Sequence, residues 1–430
     1  LIIAKRGKED VVREIFDKWD VPCAEIGRVT DDGMMRVRNN GALAAEIPAK
    51  PLADEAPLYT REARKPTTDD TDEDWNQKIS ALFASSAVES LRSLLRDPTI
   101  ASKNWVYRQY DHMVRTGTVV WPGSDAAVFR VREANKILAA TSDCNSLYCR
   151  LDPREGGRIA VAEAARNLTC SGATPLAVTD NLNFGNPYKP EIFWQLREAV
   201  EGVAETCRAF GTPVVGGNVS LYNESPAGAV DPTPTVAMVG LIDDEAHITT
   251  QFFKAAGDAI ILVGKIGHEM GGTHFLKVCH GRKEGRPPRL DIEGELCVQN
   301  AVRELIHAGL VRSAHDCSEG GLAVALAESC FNPSGLLGAE IDLEPSIQNL
   351  FNESQSRIVI SCAQADAAKV LAVLSAKNVP HQTLGEVGTK TLAFKTSGAE
   401  VSWPVDTIYD DWFNAIRRAV ESEAEPVRSL

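Results

Sequence analysis

No stretch of the 430 residues approaches the roughly 18 consecutive apolar residues that a helix needs to cross a bilayer. The first ten, LIIAKRGKED, lack the charged-then-apolar order of a secretion signal. These absences predict a cytoplasmic protein without membrane contact. Positive charge is scarce as well: 45 Lys and Arg stand against 59 Asp and Glu, a formal charge of −14. A general nucleic-acid binder needs clustered cations to neutralise phosphates, so nucleic acid is not an expected partner. A phosphorylated small molecule stays open, because local donors, helix N-termini and metal can hold one. The ten cysteines have no close-paired zinc spacing, and Cys144 and Cys149, the nearest pair, have no second pair beside them. In a reducing compartment they are expected as free thiols, several of them in cores. The phosphate-loop pattern GxxxxGK(S/T) is missing, so Lys265 in VGKIG is not a Walker lysine.

What the chain does have is material for more than one core: 44% of its residues are hydrophobic, and its length suggests two to four domains. Two polar, glycine-bearing clusters stand out, DNLNFGNP (180–187) and GGNVSLYNE (216–224). Each follows an apolar run, PLAV (175–178) and PVV (213–215), that reads as a short buried strand delivering polar residues to a rim. An amphipathic helix is expected between them, over 190–210. Magnesium takes hard oxygen ligands and keeps several waters, so an Asp carboxylate and an Asn carbonyl beside a triphosphate suit it. Gly216 and Gly217 leave room for backbone to approach a phosphate. The alternative is turn chemistry, since Asn, Gly and Pro populate turns anywhere. Two such clusters bracketing one helix favour a site.

The chain also repeats itself. Residues 1–51 and 359–407 share one plan: an apolar strand, an amphipathic helix, a Val-Pro step (Val21-Pro22, Val379-Pro380), a strand ending in IGRV or LGEV, and two further short strands. Aligned on the Val-Pro steps, Leu1 falls opposite Val359. A piece of this size would leave its apolar face in water without a partner sheet, so the polypeptide is expected to extend upstream of Leu1. The alternative is two merely similar αβ units.

The expected organisation is therefore a domain tail over 1–50, a linker over 51–76 with the acidic run TDDTDED (68–74), and two α+β domains of mixed sheet and helices over 77–246 and 247–430. In the first, a helix over 75–96 buries Ile79, Leu82, Phe83, Val88, Leu91, Leu94 and Leu95. Strands TVVWPG, AAVFRV and KILAATSD follow, then a helix over 158–168, PLAV, the 190–210 helix and PVVGGNVSLY. In the second, DAIILVG and SRIVISC are strands, and 292–308, 322–330 and 363–377 are helices.

VTDNLNFGNPYKPEIFWQ (178–195) followed by GTPVVGGNVSLYNES (211–225) resembles the synthetase subunit of phosphoribosylformylglycinamidine synthase, an enzyme of purine biosynthesis. GSDAAV (123–128), DCNSLYCRLDPREGG (143–157), AHDCSEGGLAVALAES (314–329) and NESQSR (352–357) extend the likeness over nearly the whole chain, most weakly over 51–77. The resemblance implies an aminoimidazole ribonucleotide synthetase-like A domain followed by a B domain, behind the tail of an upstream B domain. It implies ATP and Mg2+ as cofactors and an ATP-dependent carbon–nitrogen ligase acting on formylglycinamide ribonucleotide. Carried over residue by residue, Asp180 and Gly217 contact ATP, Asn218 binds metal and Ser220 contacts the ribonucleotide. Asn183 is expected to face the nucleotide with Asp180. Asp125 and Asp143 are candidates for a second metal cluster, Asp316 for an anion site or a helix cap, and Ser354 and Gln355 for the counterpart of a substrate-touching triad. Gly271-Gly272-Thr273 has the same ambiguity as Asp316, and His315 reads as a hydrogen-bonded structural residue.

The family pattern is broken at Asp143. The first half of such enzymes carries His-Asn-His there, including the proposed catalytic base, whereas this chain reads DCNS. No catalytic residue is thus assigned to this copy, and the base is expected in an upstream half. No Cys sits in a nucleophile elbow, so ammonia is expected from a glutaminase subunit, with a small accessory subunit implied by the resemblance. A homodimer through 116–243 is expected for the chain alone. Two other readings stay open: a sister synthetase of the superfamily, or a non-catalytic nucleotide-binding scaffold.

Overall fold

The computed structural model describes residues 1–66, 87–396 and 400–423. It separates into two units, Leu1–Thr60 and Arg61–Leu430. The first unit holds helix α1 (Glu9–Lys18), the antiparallel hairpin of β1 (Met34–Asn39) and β2 (Ala42–Pro48), and helix α2 (Ala49–Asp54). Adding the offset of the two Val-Pro steps, 379 − 21 = 358, carries α1 onto the helix Ala367–Ala376 of the second unit. The same offset brings β1, β2 and α2 within a few residues of Thr391–Lys395, Glu400–Pro404 and Val405–Phe413.

Two strands expected in the first unit do not form. Leu1–Lys5 and the IGRV segment run without ladder partners. Their counterparts in the later copy, Ile358–Cys362 and His381–Gly388, are both hydrogen bonded to Ala259–Val263. The first unit has no third strand between them, and a strand needs a neighbour to satisfy its N–H and C=O groups.

In the second unit the chain enters through helix α3 (Ala87–Arg96) and the single turn α4 (Asn104–Tyr107). The remainder of the predicted 75–96 helix and the acidic run 68–74 lie outside the described residues. Leu91, Leu94 and Leu95 are buried as expected, but Val88 is exposed. They also join the core of the second sheet rather than the first, because the helix docks through Arg92 and Arg96 on the buried Asp411, both at 2.7 Å.

The first sheet runs β3-β4-β5-β10-β6-β7. Its strands are β3 (Thr118–Val120), β4 (Ala127–Val131), β5 (Lys136–Asp143), β6 (Thr174–Asn183), β7 (Val214–Ser220) and β10 (Thr233–Ile242); two-residue strands β8 (Glu224–Ser225) and β9 (Gly228–Ala229) form a separate hairpin. All pairs are antiparallel except β6–β7. The short α5 (Ser146–Leu151) is capped by Asn145, and α6 (Pro153–Cys170), capped by Asp152, starts earlier than its sequence pattern suggests. Ala160, Val161, Ala164, Ala165 and Leu168 of α6 cover one face of the sheet, packing on Val128, Ala139, Val178, Val236 and Met238. Helix α7 (Pro190–Phe210) crosses α6 closely because glycines face backbone there: a Cβ on Gly202 would lie 2.1 Å from Arg154 O. The alternation predicted for a half-buried sheet is met in β10, whose Val236, Met238 and Ile242 are buried.

The second sheet runs β12-β14-β11-β15-β13-β16-β17, with β11 (Ala259–Val263), β12 (Ser313–Asp316), β13 (Gly338–Ile341), β14 (Ile358–Cys362), β15 (His381–Gly388), β16 (Thr391–Lys395) and β17 (Glu400–Pro404). Both its faces are covered, so β11 and β14 are buried along their whole length, β11 as an unbroken apolar run and β14 with Ser361 satisfied by Ser313. One face holds α3 with α8 (His274–His280), α10 (Gly321–Cys330), α11 (Ile347–Phe351) and α13 (Val405–Phe413). The other holds α9 (Ile292–His307) and α12 (Ala367–Ala376). A last helix, α14 (Ala415–Glu423), follows α13. Among the described residues no helix is long and apolar enough to cross a membrane.

Candidate functional site

The two polar clusters do not follow their strands; they are part of them. DNLN lies inside β6 and GGNVS inside β7, paired in parallel so that Asp180 stands beside Gly217, Asn181 beside Asn218 and Asn183 beside Ser220. Because strand side chains alternate between faces, this register splits the predicted residues in two. Asn218, Ser220, Asn181 and Asn183 share the face away from the helices, and Asn218 Nδ2 donates to Asn181 Oδ1 at 3.1 Å. Asp180 and Gly217 occupy the helix-facing side. Asp180 and Asn183, expected to face one nucleotide together, are three residues apart and so point to opposite faces. A ligand reaching both sets has to cross the free edge of β7, whose residues are exposed except for the half-buried Ser220.

Asp180 is half-buried between Val178 and Leu182, and burial raises its pKa above the ordinary carboxylate range. Its charge in turn adds to the burial that raises the Cys207 thiol on α7. The missing side chain of Gly217 makes the room: a Cβ there would lie 2.0 Å from Asp180 Oδ1. Gly217→Ala is therefore expected to force the carboxyl aside at a strain of about 1 kcal/mol or more. Gly216→Ala, whose Cβ would meet only Thr179 Oγ1 at 4.0 Å, should leave the melting curve unchanged.

At the carboxyl end of the two strands the chain makes a tight network. Asn223 Nδ2 donates to Phe184 O and Ser220 O at 3.1 and 2.9 Å, Phe184 N to Ser220 O at 3.0 Å, and Lys189 Nζ to both Glu224 oxygens at 2.9 Å. Asn218 and Asn183 present amide oxygens on this face, whereas Ser220 Oγ is engaged by Asn223, donating to its Oδ1 at 3.3 Å and accepting from its Nδ2 at 3.2 Å. Among the described residues no three His, Cys, Asp or Glu side chains form a ready metal cluster.

A second constellation is buried where the two sheets' helices meet. Asp125 Oδ1 accepts from His315 Nδ1 at 2.9 Å and from Asp316 N at 3.1 Å, and His315 Nε2 donates to Glu328 Oε2 at 3.1 Å. Burial alone would depress the His315 pKa, but the charges and hydrogen bonds of Asp125 and Glu328 outweigh it and hold the imidazole protonated well above its usual value. Asp316 does not cap α10: the cap position is Gly320, without a side-chain bond. Its carboxyl, raised by burial to about 7 against the pull of Arg166, instead faces the fully buried Arg166. That guanidinium stands 3.2 Å from Glu295 Oε1 and 3.9 Å from Asp316 Oδ2, and donates to Gln355 Oε1 at 2.7 Å. Asp143 accepts from Asn167 Nδ2 at 3.3 Å. Burial, then Glu319 and Asp316, push Asp143 well up, and Glu163 rises for the same reasons with Asp143 as its nearest offender.

The ESQ segment is engaged from within. Glu353 accepts from His274 N at 2.7 Å, from Gly320 N at 2.8 Å and from the Tyr148 hydroxyl; Ser354 bonds Glu269 and Gln355 bonds Arg166. Thr273 caps α8. Sequence reasoning missed Glu163, Arg166 and Asn167, although three polar residues at i, i+3 and i+4 in an Ala-rich helix were a signal.

Residues 123–242 match the family described as AIR synthase related protein, N-terminal domain, and residues 255–394 its C-terminal domain. The chain is 44% identical, over 98% of its length, to phosphoribosylformylglycinamidine synthase subunit PurL of Caldanaerobacter subterraneus subsp. tengcongensis. It is 49% identical, over 93% of its length, to the same subunit of Moorella thermoacetica. It spans only 58% and 54% of those two proteins. Solved structures of T. maritima PurL with FGAR and with ATP align at TM-scores of 0.62 and 0.55, each over 78% of this chain and 55% and 52% of theirs, at 19% identity, a likeness of fold. The chain belongs to the AIR synthase related family and, within it, groups with the PurL subunits of phosphoribosylformylglycinamidine synthase.

Proposed function

We propose that this chain supplies the ATP-, metal- and substrate-holding face of an ATP-dependent amidine-forming ligase. The reaction converts formylglycinamide ribonucleotide, ATP and ammonia into formylglycinamidine ribonucleotide, ADP and phosphate. The observation that carries the reading is the β6–β7 register, which sets Asp180 beside Gly217 and puts Asn218 and Ser220 on one face. An amide oxygen is a poor leaving group; phosphorylating it lets ammonia displace it, and such a transfer asks the protein mainly for positioning and charge stabilisation. Mg2+ between the phosphates would neutralise their charge. Asn218 would offer it a carbonyl oxygen, Asp180 and the open backbone at Gly217 would bind ATP, and Ser220 would hold the ribonucleotide. The base, the glutaminase that releases ammonia and a small accessory subunit are assigned to other parts of the enzyme on the family resemblance, and His315 is held between Asp125 and Glu328. The bare edge of β7, with Val215 and Val219 exposed, is where a second A-type domain, or a second copy of this chain, would pack. A cytoplasmic location fits this chemistry.

The test is calorimetric titration with ATP and Mg2+. Asp180→Ala and Asn218→Ala should each weaken binding by on the order of 1–3 kcal/mol, and the Asn218 effect should vanish without Mg2+. If both variants bind as tightly as the parent, the placement is wrong.

A second reading, an auxiliary nucleotide–metal site at Asp125, Asp143 and Asp316, is favoured by one observation. Burial first, and then neighbouring carboxylates among Asp125, Asp143, Asp316 and Glu319, raise Asp143, Glu163 and Asp316, an imbalance that a bound cation would relieve.

A further inference from the structure

The strap that leads into the second unit, residues 61–66, lies against the start of α7. Arg64 N donates to Pro190 O at 3.1 Å and its guanidinium stands 3.7 Å from Glu191. At its head, the Arg61 guanidinium sits over Tyr188, its carbon 3.8 Å from the ring centroid. Tyr188 is paired in turn with Tyr222, ring centroids 6.3 Å apart. Both tyrosines are exposed. The hydrogen bond and charge of Arg61, helped by Tyr222, lower the Tyr188 pKa. Among the described residues no carboxylate stands within ion-pair distance of the half-buried Arg61, whose partner on this face is Tyr188.

Tyr222 reaches this platform at a cost. Its φ of 62° is an outlier for a bulky side chain, and the position persists because Tyr222 N donates to Gly185 O at 3.0 Å and Asn223 N to Phe184 O at 3.2 Å. Strain of this kind is kept where surrounding structure over-determines it, commonly beside a binding site. Here the neighbour is Ser220, only two residues away, which places the two backbones within about 7 Å of each other.

Among the described residues of β6 and β7 none is a cation. Lys189 is neutralised by Glu224, and Asn181, Asn183, Asn218 and Ser220 are neutral. A ribonucleotide carries a phosphate dianion that neutral amides and hydroxyls alone hold weakly, and a planar guanidinium offers it paired donors.

We propose that Arg61, presented on the Tyr188–Tyr222 platform, is a specificity-determining contact for the 5′-phosphate of the sugar-phosphate substrate whose remainder meets Ser220. The inference rests on the functional reading above. The ring beneath the guanidinium holds it in place beside the site, and part of the cation is desolvated before the ligand arrives.

The experiment titrates the folded chain with ribose 5-phosphate, with ribose as the uncharged control, and separately with ATP and Mg2+. Arg61→Ala should weaken ribose 5-phosphate binding by tenfold or more while changing ATP affinity less than twofold; Arg61→Lys should recover part of the loss. Tyr188→Ala, which keeps the cation and removes its platform, should fall between them. If Arg61 merely fastens the strap, Arg61→Ala lowers the melting temperature and leaves ribose 5-phosphate affinity unchanged, and the proposal is overturned. It is equally overturned if the parent chain binds ribose 5-phosphate no better than ribose. ATP binding that no longer depends on Asp180 sinks the functional reading instead, a result separable from either outcome at Arg61.

Discussion

Replacing His315 with leucine is expected to destabilise the second unit by about 3–5 kcal/mol, the usual cost of stripping one partner from a buried ion pair. The imidazole joins Asp125, which comes from the β3–β4 connection, to Glu328 on α10. Without it the Asp125 carboxylate, 2% exposed, faces Glu328 with nothing between them. Asp125→Asn in the His315→Leu background should recover part of the loss, because it removes one of the stranded charges. The pH dependence has a definite sign. A histidine whose folded pKa is raised contributes its full stabilisation below the unfolded value near 6.5 and loses it as pH rises through the folded value. The gap between parent and variant should therefore be widest at pH 6 and narrow in the alkaline range. Urea unfolding at three pH values measures it; a gap below 1 kcal/mol at pH 6 would mean the bridge is not what holds this seam.

Arg166→Met should be comparably severe, but with the opposite emphasis in pH. Arg166 is fully buried and is the guanidinium on which Glu295, Asp316 and Gln355 converge. Its removal is expected to cost about 3 kcal/mol or more at pH 8, where the neighbouring carboxylates are charged and unpaired. Asp316, raised to about 7, and Asp143 and Glu163, both raised well above their ordinary values chiefly by burial, bind more protons folded than unfolded in mild acid. Stability from these groups consequently falls as pH climbs through their folded values. As the pH falls towards 5 these groups take up protons, and the Arg166→Met penalty should shrink. If a divalent cation occupies the cluster, 5 mM-scale Mg2+ should raise the melting temperature of the parent at pH 8 and have little effect at pH 5. A penalty for Arg166→Met that is the same at both pH values would contradict this account.

The internal repeat was legible because a Val-Pro step is a local feature: proline fixes its own φ and restrains the residue before it, so both copies restart their pattern at the same offset. The strands KILAATSD and DAIILVG were legible from apolar runs of strand length, and the 190–210 helix from its amphipathic period. Asp180, Gly217, Asn218 and Ser220 could be singled out because they cluster in two short segments. Their division between two faces could not, since it depends on DNLN and GGNVS being pulled into the ladder. Taken alone, Asn and Gly favour turns; pairing with β10 on one side and β7 on the other overrides that preference in β6.

The amino-acid sequence by itself determined the family and much of the order of elements in the second unit, which are written in contiguous residues whose spacing follows 2.0 and 3.6 periods. Tertiary structure alone decided which charges meet. Asp125 and His315 are 190 residues apart, Arg166 and Gln355 are 189, and Tyr148 and Glu353 are 205; no local pattern encodes such pairings. They arise because two sheets, each covered by its own helices, press together along α6 and β12, and the polar groups trapped there must find one another or stay unpaired at several times the cost.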